Sequence, residues 1–286
     1  MIWGKKMIDN SFSENNTIDD GLLVKVKKLE SILLSAGSLA VGFSGGVDSS
    51  FLLAFAKEVL GDRVLAITAY AAFIPERELK EAKDFCEERK IRQLVCRVNP
   101  FTIPEFVHND KKRCYFCKTK IFAEVKRLAG MNGFFFVAEG SNMDDINDYR
   151  PGLQAISELS VLSPLKDAGL SKAEIRELSK AMGLPTWDKP AYACLASRFS
   201  YGEEITEEKL KMIERAEDFL IGLGFREERV RFHGNLARIE VPARDIPRIM
   251  DDKIRSQIYA QFRKIGFVFV SVDIRGYKMG GMNETI

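Results

Sequence analysis

A chain of 286 residues, 46% of them hydrophobic, has apolar surface enough for one large α/β domain and a smaller companion. A formal net charge of +2 supplies no general attraction to a nucleic-acid backbone, so a small-molecule substrate is expected. No window reaches the roughly 18 apolar residues of a membrane span. The polar start MIWGKKMIDNSFSENNTIDD lacks signal-peptide character, and five cysteines, an odd number, argue against a secreted disulfide framework. A cytoplasmic protein is expected.

Residues 1–18 read as a flexible lead-in, and 19–36 place Leu22, Leu23, Val26, Leu29, Ile32 and Leu33 at helical spacing. The apolar run Leu39, Ala40, Val41 is a strand, Ser44-Gly45-Gly46 a turn, and Val47 opens an amphipathic helix through Leu60. Strands follow at 64–70, 91–98, 134–138 and 161–162; helices are expected at 75–90, 113–129 and 153–159. Ser171-Lys172-Ala173-Glu174 has the form of a capping box, opening a helix that stops at Gly183. Strands alternating with helices predict an α/β fold with a parallel sheet covered on both faces, whose ligands bind at the carboxyl ends of the strands.

Beyond about residue 200 the pattern changes. A charged helix over 205–223, strands at 230–233 and 236–241 around Gly234-Asn235, a helix over 245–265 and a strand over 267–274 predict a small α+β domain. The expected division is 19–200 for the nucleotide domain and 201–286 for a substrate or oligomerisation domain.

The chemistry centres on LAVGFSGGVDSSF. Gly45 and Gly46 let the backbone approach a ligand, the helix N-terminus attracts a phosphate, and Ser44, Ser49 and Ser50 add hydroxyl donors. The loop is neither GxxxxGK[ST] nor GxGxxG. SGGVDSS resembles the pyrophosphate loop of the ATP pyrophosphatase (PP-loop) family, whose members split ATP into AMP and pyrophosphate to adenylate a substrate.

Cys114 and Cys117 stand at a helix entry between Arg113 and Lys118, and Cys194 lies in the irregular stretch KPAYACLASR. Helix-entry dipoles and nearby cations favour thiolates, so these sulfurs are expected to be reactive or ligating. Cys86 and Cys96 read as space-filling thiols. A CxxC serves a structural zinc half-site, a redox disulfide or an iron–sulfur cluster. Zinc needs four ligands, which neither His108 nor His233 completes, and a redox pair does not require Cys194.

SGGVDSS, EGSNMDD, SPLKDAGLSKAEIRELSKAMGLPTWDKPAYACLASR and RGYKMGGMNE together resemble the LarE family, the pyridinium dicarboxylate sulfurtransferases of nickel-pincer nucleotide biosynthesis. The resemblance implies ATP-dependent adenylation of a carboxylate on a nicotinate-derived mononucleotide, followed by replacement of an oxygen by sulfur. One branch of the family gives up the sulfur of the cysteine corresponding to Cys194. The other holds a [4Fe-4S] cluster on cysteines corresponding to Cys114, Cys117 and Cys194, with transferable sulfide on the open iron. All three are present here, so the cluster branch is expected, together with a sulfide donor and a homo-oligomer.

In this reading Ser44, Gly45, Gly46, Ser49 and Ser50 hold pyrophosphate, and Asp48 positions the loop or recruits Mg²⁺. Thr68 at the end of the second strand meets adenine, and Glu139, Ser141 and Asp145 are weighed as ribose or metal ligands against a merely solvated loop. Arg198 neutralises the adenylate or substrate phosphate, weighed against a surface salt bridge. Arg231, Arg238, Arg275 and Lys278 are weighed as substrate ligands against an ordinary solvated face, and Trp187 and Tyr115 as stacking rings against core packing. Three rivals share the fold: tRNA thiolation, amide formation as in NAD or GMP synthesis, and a non-catalytic nucleotide sensor.

Overall fold

The computed structural model describes residues 19–147, 151–190 and 193–278. The 1–18 lead-in and the end of the RGYKMGGMNE stretch lie outside these residues. In chain order the elements are α1 (Asp20–Ala36), β1 (Leu39–Gly42), α2 (Val47–Leu60), β2 (Val64–Tyr70), α3 (Glu76–Glu88), β3 (Arg92–Arg97), α4 (Pro104–Val107), α5 (Arg113–Met131) and β4 (Val137–Ala138). They continue with α6 (Pro151–Glu158), α7 (Pro164–Ala168), α8 (Lys172–Ala181), α9 (Glu207–Gly222), β5 (Arg229–His233), β6 (Leu236–Glu240), α10 (Ile246–Ile249), α11 (Asp252–Ile265) and β7 (Phe269–Val272). Among the described residues no helix is long and apolar enough to cross a membrane.

The chain divides into two units. The first, from 19–71, 76–98 and 114–190, contains a four-stranded sheet in the order β3-β2-β1-β4, every pairing parallel. Successive residues of a strand face opposite sides, and the core divides accordingly. Leu39 and Val41 of β1 and Val64 and Ala66 of β2 pack with α1, α2, α7 and α8 on one face. Ala40, Leu65 and Ile67 pack with Phe122, Val125 and Ala129 of α5 and Ile156 of α6 on the other. This is the PP-loop, adenine nucleotide alpha hydrolase-like arrangement. The capping box forms with both halves made: Ser171 accepts from the Glu174 amide, and the Glu174 carboxylate accepts from the Ser171 amide at 2.8 Å.

The expected strand over 134–138 shrinks to Val137–Ala138, because Phe135 and Phe136 are exposed and only Val137 and Ala138 pair in register with β1. The strand over 161–162 is a single bridge from Leu162 to Ala138. The short helix α7, unanticipated, enters through Pro164 and ends at Gly169 in the left-handed region.

The second unit gathers 72–75, 99–113 and 193–278, so the turn bearing Cys194 belongs to it. Its sheet runs β5-β6-β7: a hairpin turning at Gly234, φ 58°, then β7 parallel to β6 after a helical crossover. Phe199, Phe232, Phe267 and Phe262 stack through its core at centroid separations of 5.3, 5.8 and 5.9 Å. The helix expected over 245–265 is interrupted. Asp251 accepts from the amides of Lys253 and Ile254, a cap that starts α11 afresh.

Candidate active site

The turn from β1 into α2 is shaped by Gly45, whose φ of +73° lies in the left-handed region. Its missing Cβ leaves room against Ala82 of α3, where an added carbon would sit 3.5 Å away. Gly46 is the N-cap of α2 and no side chain caps that end. That end is therefore left without a side-chain acceptor and has the helix dipole behind it, which is how a fold holds an anionic phosphate. The hydroxyls of Ser44 and Ser49 lie 3.0 Å apart, Ser49 donates to the Gly46 carbonyl at 3.2 Å, and the Gly46 amide reaches the Ser44 hydroxyl at 3.4 Å. Such a ring of hydroxyls braces the turn and offers donors to an incoming oxyanion. Ser50 is fully buried, its hydroxyl without a partner among the described residues.

Beside this turn stands the loop after β4. Its Gly140 passes so close to α2 that an added Cβ would come within 2.9 Å of the Ser49 amide nitrogen. Glu139, buried, accepts from the Ser141 amide at 3.0 Å, the Ser141 hydroxyl at 2.8 Å and the Ser163 hydroxyl at 2.7 Å. Both carboxylate oxygens thus hold the loop in shape. Asp145 accepts from the Asn142 amide at 3.0 Å. Thr68 is buried in β2 and accepts from the Gln93 side chain at 2.8 Å.

Asp48, in the first turn of α2, carries the most unusual electrostatics of the turn. Its Oδ2 accepts from Lys172 Nζ at 2.6 Å, while Oδ1 is buried and the Asn142 side chain stands beside the carboxylate. Burial pushes its carboxyl above the ordinary carboxylate range, Lys172 pulls the other way, and the charge of Asp145 adds to the rise. An oxygen in this state fits a magnesium ion, which takes one or two carboxylates and completes its shell with water and substrate phosphates. Lys172 was read from sequence only as part of the capping box. Its amide does cap, donating to Asp144 at 2.9 Å, but its ammonium answers Asp48, 124 positions earlier.

A second lysine escaped the sequence reading. Lys189 Nζ contacts the Gly45 carbonyl at 3.1 Å and the carboxylates of Glu78 and Glu81 at 2.7 Å each. The motif KPAYACLASR drew attention to its cysteine, whereas its first residue touches the phosphate turn.

The five thiols separate by environment. Cys86 and Cys96 are buried, and burial pushes them up to about 12 and about 11 respectively. Cys114 is exposed, Cys117 and Cys194 half-buried. Cys114 and Cys117 occupy the first turn of α5, three residues apart and so on one helix face. Cys194 precedes the 3-10 turn Leu195–Arg198, and its carbonyl accepts from the Ser197 amide at 2.9 Å and hydroxyl at 2.8 Å. The soft-donor chemistry of these positions fits iron or zinc. Among the described residues no three His, Cys, Asp or Glu side chains are gathered into a metal-holding group.

Arg198 is buried in a two-pronged pair with Glu217, at 2.8 and 2.9 Å, and also donates to the carbonyls of Ala193 at 2.7 Å and Cys194 at 3.2 Å. Burial opposes both charges; their attraction prevails and holds the Glu217 carboxyl below its usual range. Arg198 therefore shapes the backbone on either side of Cys194, and its fork is turned to Glu217. Arg231 is likewise engaged, with Glu240 at 2.8 Å and the Ser197 carbonyl at 2.9 Å. Arg238 joins Asp273, Glu240 and His233. Arg275 and Lys278 follow β7 on an irregular segment. Trp187 stacks under the Lys180 ammonium at 5.0 Å, and the Tyr115 hydroxyl donates to Glu158 at 2.6 Å.

The NAD synthase family model matches residues 18–122. The chain is 40% identical to the uncharacterised protein slr1717 of Synechocystis sp. over 262 residues, 91% of this chain and 98% of that protein. It is 33% identical to the pyridinium-3,5-bisthiocarboxylic acid mononucleotide synthase of Lactiplantibacillus plantarum over 268 residues, 93% of this chain and 96% of that one. It is 29% identical to the uncharacterised protein MJ0830 of Methanocaldococcus jannaschii over 256 residues, 90% of this chain and 97% of that one.

Two outcomes follow from this electrostatics. A carboxyl whose folded-state pKa is raised adds stability at low pH and loses it as pH rises through that pKa. Asp48→Asn is therefore expected to melt at or above the wild-type temperature at pH 7, the advantage vanishing below pH ~4 where both side chains are neutral. A lower Tm at pH 7 would contradict the assignment. In folded, iron-free protein at pH 7.5, alkylation followed by mass spectrometry should label Cys114, Cys117 and Cys194 and reach Cys86 and Cys96 only after denaturant is added.

Proposed function

The chain belongs to the family of the pyridinium-3,5-bisthiocarboxylic acid mononucleotide synthase, and from that membership we propose that it is an ATP-dependent sulfurtransferase acting on a pyridinium dicarboxylate mononucleotide. The observation that carries the reading is the uncapped N-terminus of α2 behind Gly45-Gly46, ringed by Ser44 and Ser49 and flanked by Asp48.

A carboxylate resists substitution because its oxygen leaves poorly. In the proposed reaction a substrate carboxylate oxygen attacks the α-phosphorus of ATP, the α–β bridging bond breaks, and pyrophosphate leaves with the bridging oxygen. The turn amides and the hydroxyls of Ser44 and Ser49 take up the charge that develops on the leaving group. Asp48 would hold Mg²⁺ through its Oδ1, and such an ion would supply positive charge to offset that of the phosphates. A sulfur nucleophile then adds to the acyl carbon of the mixed anhydride. AMP departs with the former carboxylate oxygen and a thiocarboxylate remains.

Sulfur handling is assigned to Cys114, Cys117 and Cys194. Their accessibility, against the burial of Cys86 and Cys96, supports the assignment. The resemblance to the three-cysteine branch supports a [4Fe-4S] cluster held by all three. Such a cluster, when bound, supplies an iron with an open position for a transferable sulfide. Arg198, through the Ala193 and Cys194 carbonyls, sets the backbone that presents Cys194.

Iron and acid-labile sulfide analysis after anaerobic purification tests this part directly. The expectation is about four irons per chain in the wild type and their loss in Cys194→Ser. An iron-free, competent protein that loses one sulfur from Cys194 per turnover would replace the cluster with a sacrificial cysteine.

A further inference from the structure

Lys189 stands outside the reaction as described, yet it makes a direct contact with the phosphate turn. Its side chain is largely buried, with 11% of its surface exposed. An ammonium has three N–H donors. The three acceptors here are the Gly45 carbonyl, Glu78 and Glu81, the latter two on α3. No donor is left over for a phosphate oxygen, which argues against Lys189 as a direct ligand of the nucleotide. The backbone that delivers it is clamped as well: Arg176 of α8 donates to the carbonyls of Trp187 at 2.6 Å and Lys189 at 2.8 Å.

What this contact controls follows from peptide geometry. The Gly45 carbonyl and the Gly46 amide belong to one planar trans unit, so they point in opposite directions. A cation holding the carbonyl on the α3 side keeps the amide aimed the other way, towards the Ser44 hydroxyl and the open end of α2. A flip of this peptide turns ψ of Gly45 and φ of Gly46, which stands at −79°, and glycine visits positive and negative φ with similar ease. Without an anchor this peptide is therefore the one in the turn most free to flip, and a flip would put a carbonyl oxygen where a phosphate oxygen belongs.

We propose that Lys189 is a positioning residue for the pyrophosphate loop: held by Glu78 and Glu81, it locks the Gly45–Gly46 peptide with its N–H facing the β- and γ-phosphates of ATP. This inference rests on the ATP-dependent reading above and deepens it. It predicts selectivity by phosphate, because AMP lacks the two groups that the locked peptide serves.

The test is direct binding by calorimetry of inorganic pyrophosphate, ATP and AMP to the full chain. Lys189→Met is expected to weaken pyrophosphate and ATP about tenfold, the loss of one charge-anchored donor, and to leave AMP within about twofold. Because that substitution strands the buried Glu78 carboxylate, the double variant Lys189→Met with Glu78→Gln is measured alongside and should give the same split. A general loosening of the fold would weaken all three ligands together, and that result, or unaltered pyrophosphate binding in both variants, overturns the inference. A wild type that binds neither pyrophosphate nor ATP overturns the ATP-dependent reading itself.

Discussion

The structure depends on one tight turn. Between β1 and α2 the chain must reverse closely enough to leave the helix N-terminus bare, and a positive φ at Gly45 is what permits it. Everything around the turn is arranged to hold it. Ala82 of α3 and Gly140 of the loop after β4 make close approaches from two sides, and the Ser44 and Ser49 hydroxyls tie it internally. The bare amides are costly unless an anion meets them, so the fold reserves this position for a ligand.

Charge placement follows the same logic. Asp48 and Lys172 set opposite charges together at the start of α2, with the second carboxylate oxygen buried beside the pair. In the second unit the Arg198–Glu217 pair is satisfied on both prongs and buried on both sides. Removing one partner of such a pair costs roughly 3–5 kcal/mol, because the other charge is stranded. The contrast separates a charge poised for a ligand from one that shapes a backbone, here the turn that carries Cys194.

Much of this was legible in the sequence. Strand β2 occupies the whole predicted span 64–70, since its apolar run is bounded by turn residues on one side and by polarity change on the other. The capping box and the Gly234 hairpin also form, because both are decided within four residues. What local patterns do not carry is the choice of distant partner. Lys172 reads as a helix-start residue and Lys189 as the edge of a cysteine motif; their ammonium groups find Asp48 and Gly45 only once the chain has folded. Arg198 reads equally as an oxyanion binder or a salt-bridge partner four residues after Cys194, and the sequence does not say that its fork turns to Glu217, nineteen positions on. The interruption before α11 was missed for the opposite reason: a single Asp251 cap overrides a helical period that runs on through it.

Carboxyl activation at the glycine turn is the claim from which the sulfur chemistry follows, and isotope exchange of labelled pyrophosphate into ATP measures it most directly. The account predicts exchange only when the pyridinium dicarboxylate mononucleotide is present, and none in Asp48→Asn. Exchange that ignores the substrate, or ATP cleaved to ADP and phosphate, would contradict it.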